Sequence, residues 1–256
     1  YRLTTSTDFE FEPAFSKDGK SVVYVSWNDE TMGAIQTVSV GKAGSKPMKL
    51  STDKGIFRTP SWSPDGKQII YVKEEGNDHQ GFLYSVKPGI YVISSTGGTP
   101  RFIRKSGSSP MFTPSNDAFY FFEDEGDSKS LKSVKLDESD LRTHFTSKYA
   151  TSIVPSPDAK WVAFTELFKV YIASFPPSGK PTDLASGAKA FPVSQAAKDG
   201  GLSLHWSADS KALHWTAGDE YFTRKITDGF TFVEGARDTV LPADSTGLKI
   251  GLMLAS

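Results

Sequence analysis

Pro60-Ser61-Trp62-Ser63-Pro64-Asp65-Gly66-Lys67, running into Ile69-Ile70-Tyr71-Val72, decides the fold, because the same phrase stands earlier as Pro13-Ala14-Phe15-Ser16-Lys17-Asp18-Gly19-Lys20 before Val22-Val23-Tyr24-Val25. Weaker copies follow at Pro110-Met111-Phe112-Thr113-Pro114-Ser115, at Pro155-Ser156-Pro157-Asp158-Ala159-Lys160 before Trp161-Val162-Ala163-Phe164, and at His205-Trp206-Ser207-Ala208-Asp209-Ser210-Lys211 before Leu213-His214-Trp215. With Asp18, Asp65, Ser115, Asp158 and Asp209 as the common position, the steps are 47, 50, 43 and 51 residues. A period of that size marks a repeat architecture.

Each part of the phrase has a physical task. Pro presets φ, Asp bonds its local backbone and Gly accepts a positive φ, so the polar half is a tight reversal between antiparallel strands. The apolar half is short, β-branched and aromatic, as a strand buried on both faces requires. A second hairpin recurs later in the unit, in Ile90-Tyr91-Val92-Ile93 with Gly97 to Phe102, and in Val170-Tyr171-Ile172 with Gly179-Lys180-Pro181. Four strands per unit of about 47 residues predict an all-β chain: a β-propeller of four-stranded antiparallel blades, with motifs near residues 13–25, 60–72, 110–122, 155–165 and 205–216. At least five blades are expected over residues 1–256, as one propeller domain or a propeller fragment. A sixth, composite blade would join N- and C-terminal strands. A β-sandwich carrying the same turns by coincidence is the weaker alternative, since it needs no blade-length period.

Composition agrees. Hydrophobic residues are 38% and aromatics 12% of 256 residues, with 22 Gly and 15 Pro, which suits many short strands. No stretch reaches the ~20 apolar residues of a spanning helix, so membrane insertion is not expected. With 29 basic and 30 acidic residues the net charge is -1, and nothing draws the chain to nucleic acid. The absence of Cys removes disulfide and thiolate chemistry. The chain opens on Tyr1 without an initiator Met or a signal-like apolar segment, which reads as a processed or excised product.

The repeated Pro-x-aromatic-Ser-x-Asp-Gly-Lys before an apolar strand resembles the WD40-like (TolB-type) β-propeller repeat. A narrower likeness lies in Phe11 to Ser16 with Tyr24-Val25-Ser26-Trp27, and in Val193-Ser194 with Gly200-Gly201 through His205 to Trp215. These look like the propeller region that precedes the metal-dependent domain of secreted bacterial amidohydrolases. The resemblance implies a periplasmic or secreted, non-catalytic binding or scaffold domain whose partner is a hydrolase domain. The alternative is a free-standing periplasmic interaction module of the TolB kind holding an envelope protein. That superfamily's metal site begins with a His-x-His pair. The four histidines here, His79, His144, His205 and His214, contain no such pair, so no metal ligand, cofactor or catalytic residue is carried over.

In a propeller the innermost strand starts near the central channel, so residues before each motif are expected at its mouth. These are Glu10, Glu12, Arg58, Ser109, Thr151 and Ser203, a mixed polar set able to hold a peptide end, a cation or another small ligand. His205 and His214 form a second polar pair on neighbouring strands, read chiefly as structural. Asp18, Asp65, Asp158 and Asp209 are turn residues, too far apart in the repeat to converge as an acid–base pair.

Overall fold

The structure is a computed structural model that describes residues 2–41, 43–76, 85–177 and 179–250. His79 lies outside the described residues. Among the described residues twenty-one strands make five sheets, the four-stranded antiparallel blades of a β-propeller, one of which carries a short fifth strand in parallel. The first blade is β1 (Phe9–Phe15), β2 (Ser21–Asn28), β3 (Met32–Ser39) and β4 (Met48–Lys49). The second is β5 (Phe57–Trp62), β6 (Gln68–Lys73), β7 (Gly89–Ser94) and β8 (Arg101–Arg104). The third is β9 (Ser108–Phe112), β10 (Ala118–Asp124), β11 (Lys129–Lys135) and β12 (Arg142–Ser147). The fourth takes β13 (Ala150–Pro155), β14 (Trp161–Glu166), β15 (Lys169–Ser174) and, after the short β16 (Thr182–Asp183), β17 (Val193–Gly200). The fifth is β18 (Leu202–Trp206), β19 (Ala212–Ala217), β20 (Glu220–Lys225) and, after the one-turn helix α1 (Ile226–Gly229), β21 (Leu248–Lys249).

Two expectations change. The strand after Gly179-Lys180-Pro181 does not complete its own blade: β16 pairs in parallel with β12, Phe145 against Thr182, and β17 takes the outer place in the fourth blade. A sheet edge left bare is open to pairing with another chain, and β16 covers one. The composite sixth blade is not formed among the described residues. β21 closes the fifth sheet, while the Leu3 carbonyl accepts from the Ser45 N–H at 2.9 Å.

The repeated turn works as its residues require. The hydroxyls of Ser16, Ser63, Ser156 and Ser207 donate to the Asp two residues on at 2.6–2.7 Å. The same carboxylate oxygen accepts from the backbone N–H of Lys20, Lys67, Lys160 or Lys211. Gly19 and Gly66 take φ of 70° and 71°, where a side chain would be strained. Because the charged form is the one that is hydrogen-bonded, Asp18, Asp65 and Asp209 are held below the usual carboxylate range, chiefly by their Ser hydroxyls. In the third blade Ser115 replaces the Asp, and its hydroxyl turns to Asp117.

Packing divides the chain into two compact units, residues 1–124 with 132–142, and residues 125–131 with 143–256. In the first unit one core joins Val23, Ile35, Phe57, Ile69 and Tyr71, and another joins Ile70, Ile90, Phe112, Phe119 and Phe121. In the second, Val170, Ile172, Leu213, Trp215 and Phe222 form the core, with Trp215 and Phe222 stacked at 5.3 Å. Gly201 allows that packing, since a Cβ there would meet Val170 at 2.3 Å and Trp215 at 2.7 Å.

Candidate functional site

The innermost strands carry an irregularity that the repeat's spacing does not announce. Glu12, Thr59, Ser109 and Ser203, each four residues before the Ser or Thr that opens the turn, have φ of 48–53°. Ladder pairing shifts around them in β1, β5, β9 and β18. These are bulges, which bend a strand and re-aim the side chain at the extra residue. A signal was present: Pro13, Pro60 and Pro110 stand inside strands, and proline enters a ladder only at an edge, a strand start or a bulge.

Two of the six residues expected at the channel mouth meet in the first unit. Arg58 Nε and Nη2 donate to Glu12 Oε1 at 2.7 and 2.5 Å, and the Thr59 N–H donates to Oε2 at 2.5 Å. Both carboxylate oxygens are thus occupied by the next blade. Glu74 lies 3.7 Å from the other guanidinium nitrogen, and the Glu12 hydrogen bond raises the Arg58 pKa further. This is a clamp between β1 and β5, fixed by charge-assisted bonds. Glu10 has different partners: its Oε2 accepts from Thr4 Oγ1 at 2.6 Å and lies 3.4 Å from Arg2. Ser109 is exposed in the same unit; Thr151 and Ser203 are exposed in the other.

In the second unit His205 and His214 are direct cross-strand partners, with rings stacked at 5.2 Å. His205 Nδ1 lies 2.9 Å from the Ser203 carbonyl oxygen, which can only accept, so the proton sits on Nδ1. Nε2 of the same ring lies 3.0 Å from the Tyr221 hydroxyl oxygen, and His214 Nδ1 lies 2.8 Å from Thr223 Oγ1. Burial and then the neighbouring His205 lower the His214 pKa. His144 packs edge-on against Phe175 at 5.3 Å. Among the described residues no three His, Asp or Glu side chains are placed to hold a metal.

The most exposed apolar feature of the second unit is one the sequence reading passed over. β14 and β15 are joined by the two residues Leu167 and Phe168, with Glu166 paired to Lys169. Their φ values are 47° and 70°, the left-handed conformation at both centres that a type I′ turn demands and that Asn-Gly normally supplies. Leu167 is 65% exposed and Phe168 84%. Beside them the Gly201 N–H donates to the Phe168 carbonyl at 3.1 Å, which brings up Leu202, 70% exposed. Tyr149, half exposed, precedes Ala150, whose strand partner is Glu166. Glu166 itself is turned inward, accepting from the Ser186 N–H at 2.5 Å, whereas Lys169 and Lys198 are exposed. An exposed apolar tip is the result, with exposed charges of both signs, Lys169, Lys198 and Asp199, on the strands that carry it. The signal for it was an apolar pair where a two-residue turn calls for Asn and Gly.

No family model matches this chain. A segment of 72 residues is 36% identical to the Tol-Pal system protein TolB of Francisella tularensis subsp. mediasiatica, covering 28% of this chain and 16% of that protein. The uncharacterized protein Atu1656 of Agrobacterium fabrum is 28% identical over 149 residues, 43% of this chain and half of that protein. Among solved structures, TolB from Acinetobacter baumannii superposes with a TM-score of 0.62 at 19% identity, over 85% of this chain and 51% of that one. A putative TolB from Agrobacterium tumefaciens gives 0.62 at 17% identity, over 84% and 78%. A chain of a nidogen/laminin complex crystal structure gives 0.61 at 12% identity, over 86% and 76%. This chain therefore spans about half of the Acinetobacter TolB and a sixth of the Francisella protein. Repeat, blade topology and superposition agree on one conclusion: the fold is a TolB-like β-propeller.

Proposed function

We propose that the chain is a protein-interaction module and that Tyr149, Leu167, Phe168 and Leu202 form its docking edge. The observation that carries this reading is the Leu167–Phe168 tip. Two large apolar side chains are held in water, at backbone positions that cost each about 1 kcal/mol relative to the glycine or asparagine usually found there. Turn formation does not ask for them and core packing does not use them. Aromatic and aliphatic anchors of this kind carry most of the energy of protein interfaces by entering pockets on the partner. Support also comes from the company the fold keeps: a Tol-Pal system protein and a chain solved in a nidogen/laminin complex.

Within this reading the partner is either the catalytic domain of a secreted amidohydrolase-like protein or a separate envelope protein, in a periplasmic or secreted setting. The motif likenesses at Phe11 to Trp27 and Val193 to Trp215 favour the first. Two tests separate them. A reading frame that continues past Ser256 into a domain bearing His-x-His supports the hydrolase, and a stop codon there removes it. Parent chain and the Leu167→Asn/Phe168→Gly variant, immobilised and exposed to one envelope extract, test the docking edge. A protein held by the first and lost by the second is expected.

A further inference from the structure

Four polar side chains share one face of the fifth blade, because cross-strand partners and residues two apart on a strand point the same way. His205 on β18 opposes His214 on β19, His214 opposes Thr223 on β20, and Tyr221 stands two residues before Thr223. The rings lie nearly parallel, His205 and His214 at 5.2 Å and 22°, His214 and Tyr221 at 5.6 Å and 21°. Leu213, Trp215 and Phe222 point to the other face and build the core there. His205 is exposed, and His214 and Tyr221 are half-buried, so solvent reaches both imidazoles.

The two imidazoles are held alike. Nδ1 of each lies beside an oxygen of the sheet, the Ser203 carbonyl at 2.9 Å for His205 and the Thr223 hydroxyl at 2.8 Å for His214. A ring nitrogen that donates to such an oxygen is the usual support of a metal-binding histidine, since it fixes the tautomer and leaves the lone pair on the other nitrogen. With Thr223 accepting, that nitrogen is Nε2 in both rings. Ligation also requires neutral rings, and the lowered pKa of His214 keeps it neutral.

We propose that His205 and His214 chelate a divalent transition-metal ion through their Nε2 atoms, with water completing its shell. Imidazole suits Cu²⁺, Ni²⁺ and Zn²⁺, and Cu²⁺ heads the affinity order at a given nitrogen site. Two ligands make an open site, which agrees with the absence, among the described residues, of a cluster of three His, Asp or Glu side chains. Asp209 adds negative charge near enough to act on His214. The Tyr221 hydroxyl, 3.0 Å from His205 Nε2, competes for that lone pair and gives way to the metal. The site lies within the second unit and does not rest on the Leu167–Phe168 edge.

Titration of the whole chain with Cu²⁺ above the imidazole pKa, read by electron paramagnetic resonance, tests the proposal. Saturation at one equivalent, with hyperfine structure from imidazole nitrogen, is expected. Affinity should fall about tenfold or more in His205→Gln and in His214→Gln, and stay unchanged in His144→Gln. Thr223→Val should cost about tenfold, the usual price of losing a supporting hydrogen bond, which two unsupported surface histidines would not show. Tyr221→Phe should bind several-fold tighter, because the competing hydroxyl is gone. Absence of saturable binding overturns the proposal, as does equal affinity in the parent and in folded His205→Gln and His214→Gln variants.

Discussion

Trp206 donates its indole N–H to the Val154 carbonyl at 2.9 Å, tying the innermost strand of the fifth blade to that of the fourth. Trp62 repeats the bond to Ala14 at 3.0 Å between the second blade and the first. Both occupy the aromatic position of the repeat, and both acceptors stand two residues before the Ser of the preceding turn. The neighbouring turns are joined in the same periodic way. The Asp65 N–H donates to Asn116 Oδ1 and the Asp158 N–H to Ser210 Oγ, each at 3.0 Å. Asn116 and Ser210 stand where the strong repeats have Gly19 and Gly66, so departures from the consensus act as inter-blade latches.

Trp206→Phe keeps most of the ring's packing but deletes the donor, leaving the Val154 carbonyl without it. The expected loss is about 1 kcal/mol, the usual cost of one such hydrogen bond, seen as a lower urea midpoint with unchanged slope. Trp62→Phe should behave alike.

The turn carboxylates give stability a defined dependence on acid. Asp18, Asp65 and Asp209 have folded-state pKa values below the unfolded value of about 4, so the folded state binds fewer protons than the unfolded chain between the two. Their contribution is complete above the unfolded pKa and is lost as pH falls through the folded one. A triple Asp→Asn variant should therefore show a flatter stability profile than the parent below pH about 4, measured by urea unfolding across pH.

His214 acts in a higher window. Its folded pKa lies below the ordinary imidazole value near 6.5, first because of burial and then because of His205. A base with a lowered pKa stabilises the fold above its unfolded pKa, and stability declines as pH falls through 6.5 towards the folded value. NMR titration should find His214 protonating below a model imidazole, and His205→Ala should move it partly back up.

Replacing Leu167-Phe168 by Asn-Gly puts suitable residues at both left-handed positions. The fold should gain about 1–2 kcal/mol, because the strain of two bulky side chains at positive φ is relieved. A higher midpoint in thermal unfolding checks this. A stability gain at these residues would mean that the apolar pair is retained for something other than folding.

The five blade motifs, their strands and the Ser-Asp turns were legible in the sequence because local chemistry writes them: Gly19 and Gly66 admit positive φ, and β-branched runs such as Ile69-Ile70 suit buried strands. What was illegible depends on partners distant in sequence. Thr182-Asp183 pairs with β12 because that edge lies open, a fact no local pattern contains. Of the residues expected at the mouth, Glu12 and Arg58 meet because bulges turn them together, and the prolines that mark bulges do not state their direction. Glu10 shows the same limit, since alternation along β1 does not reveal that Thr4 folds back onto its carboxylate. The exposed tip escaped notice because an apolar pair between two apolar strands reads as strand.

The docking edge is tested most directly by the fraction of bound partner that the Leu167→Asn/Phe168→Gly variant retains relative to the parent, at equal concentration and with folding verified. Loss of anchors of this size predicts at least about a tenfold drop, the equivalent of 1.4 kcal/mol or more. Retention equal to the parent's by the folded variant would contradict the assignment of this edge.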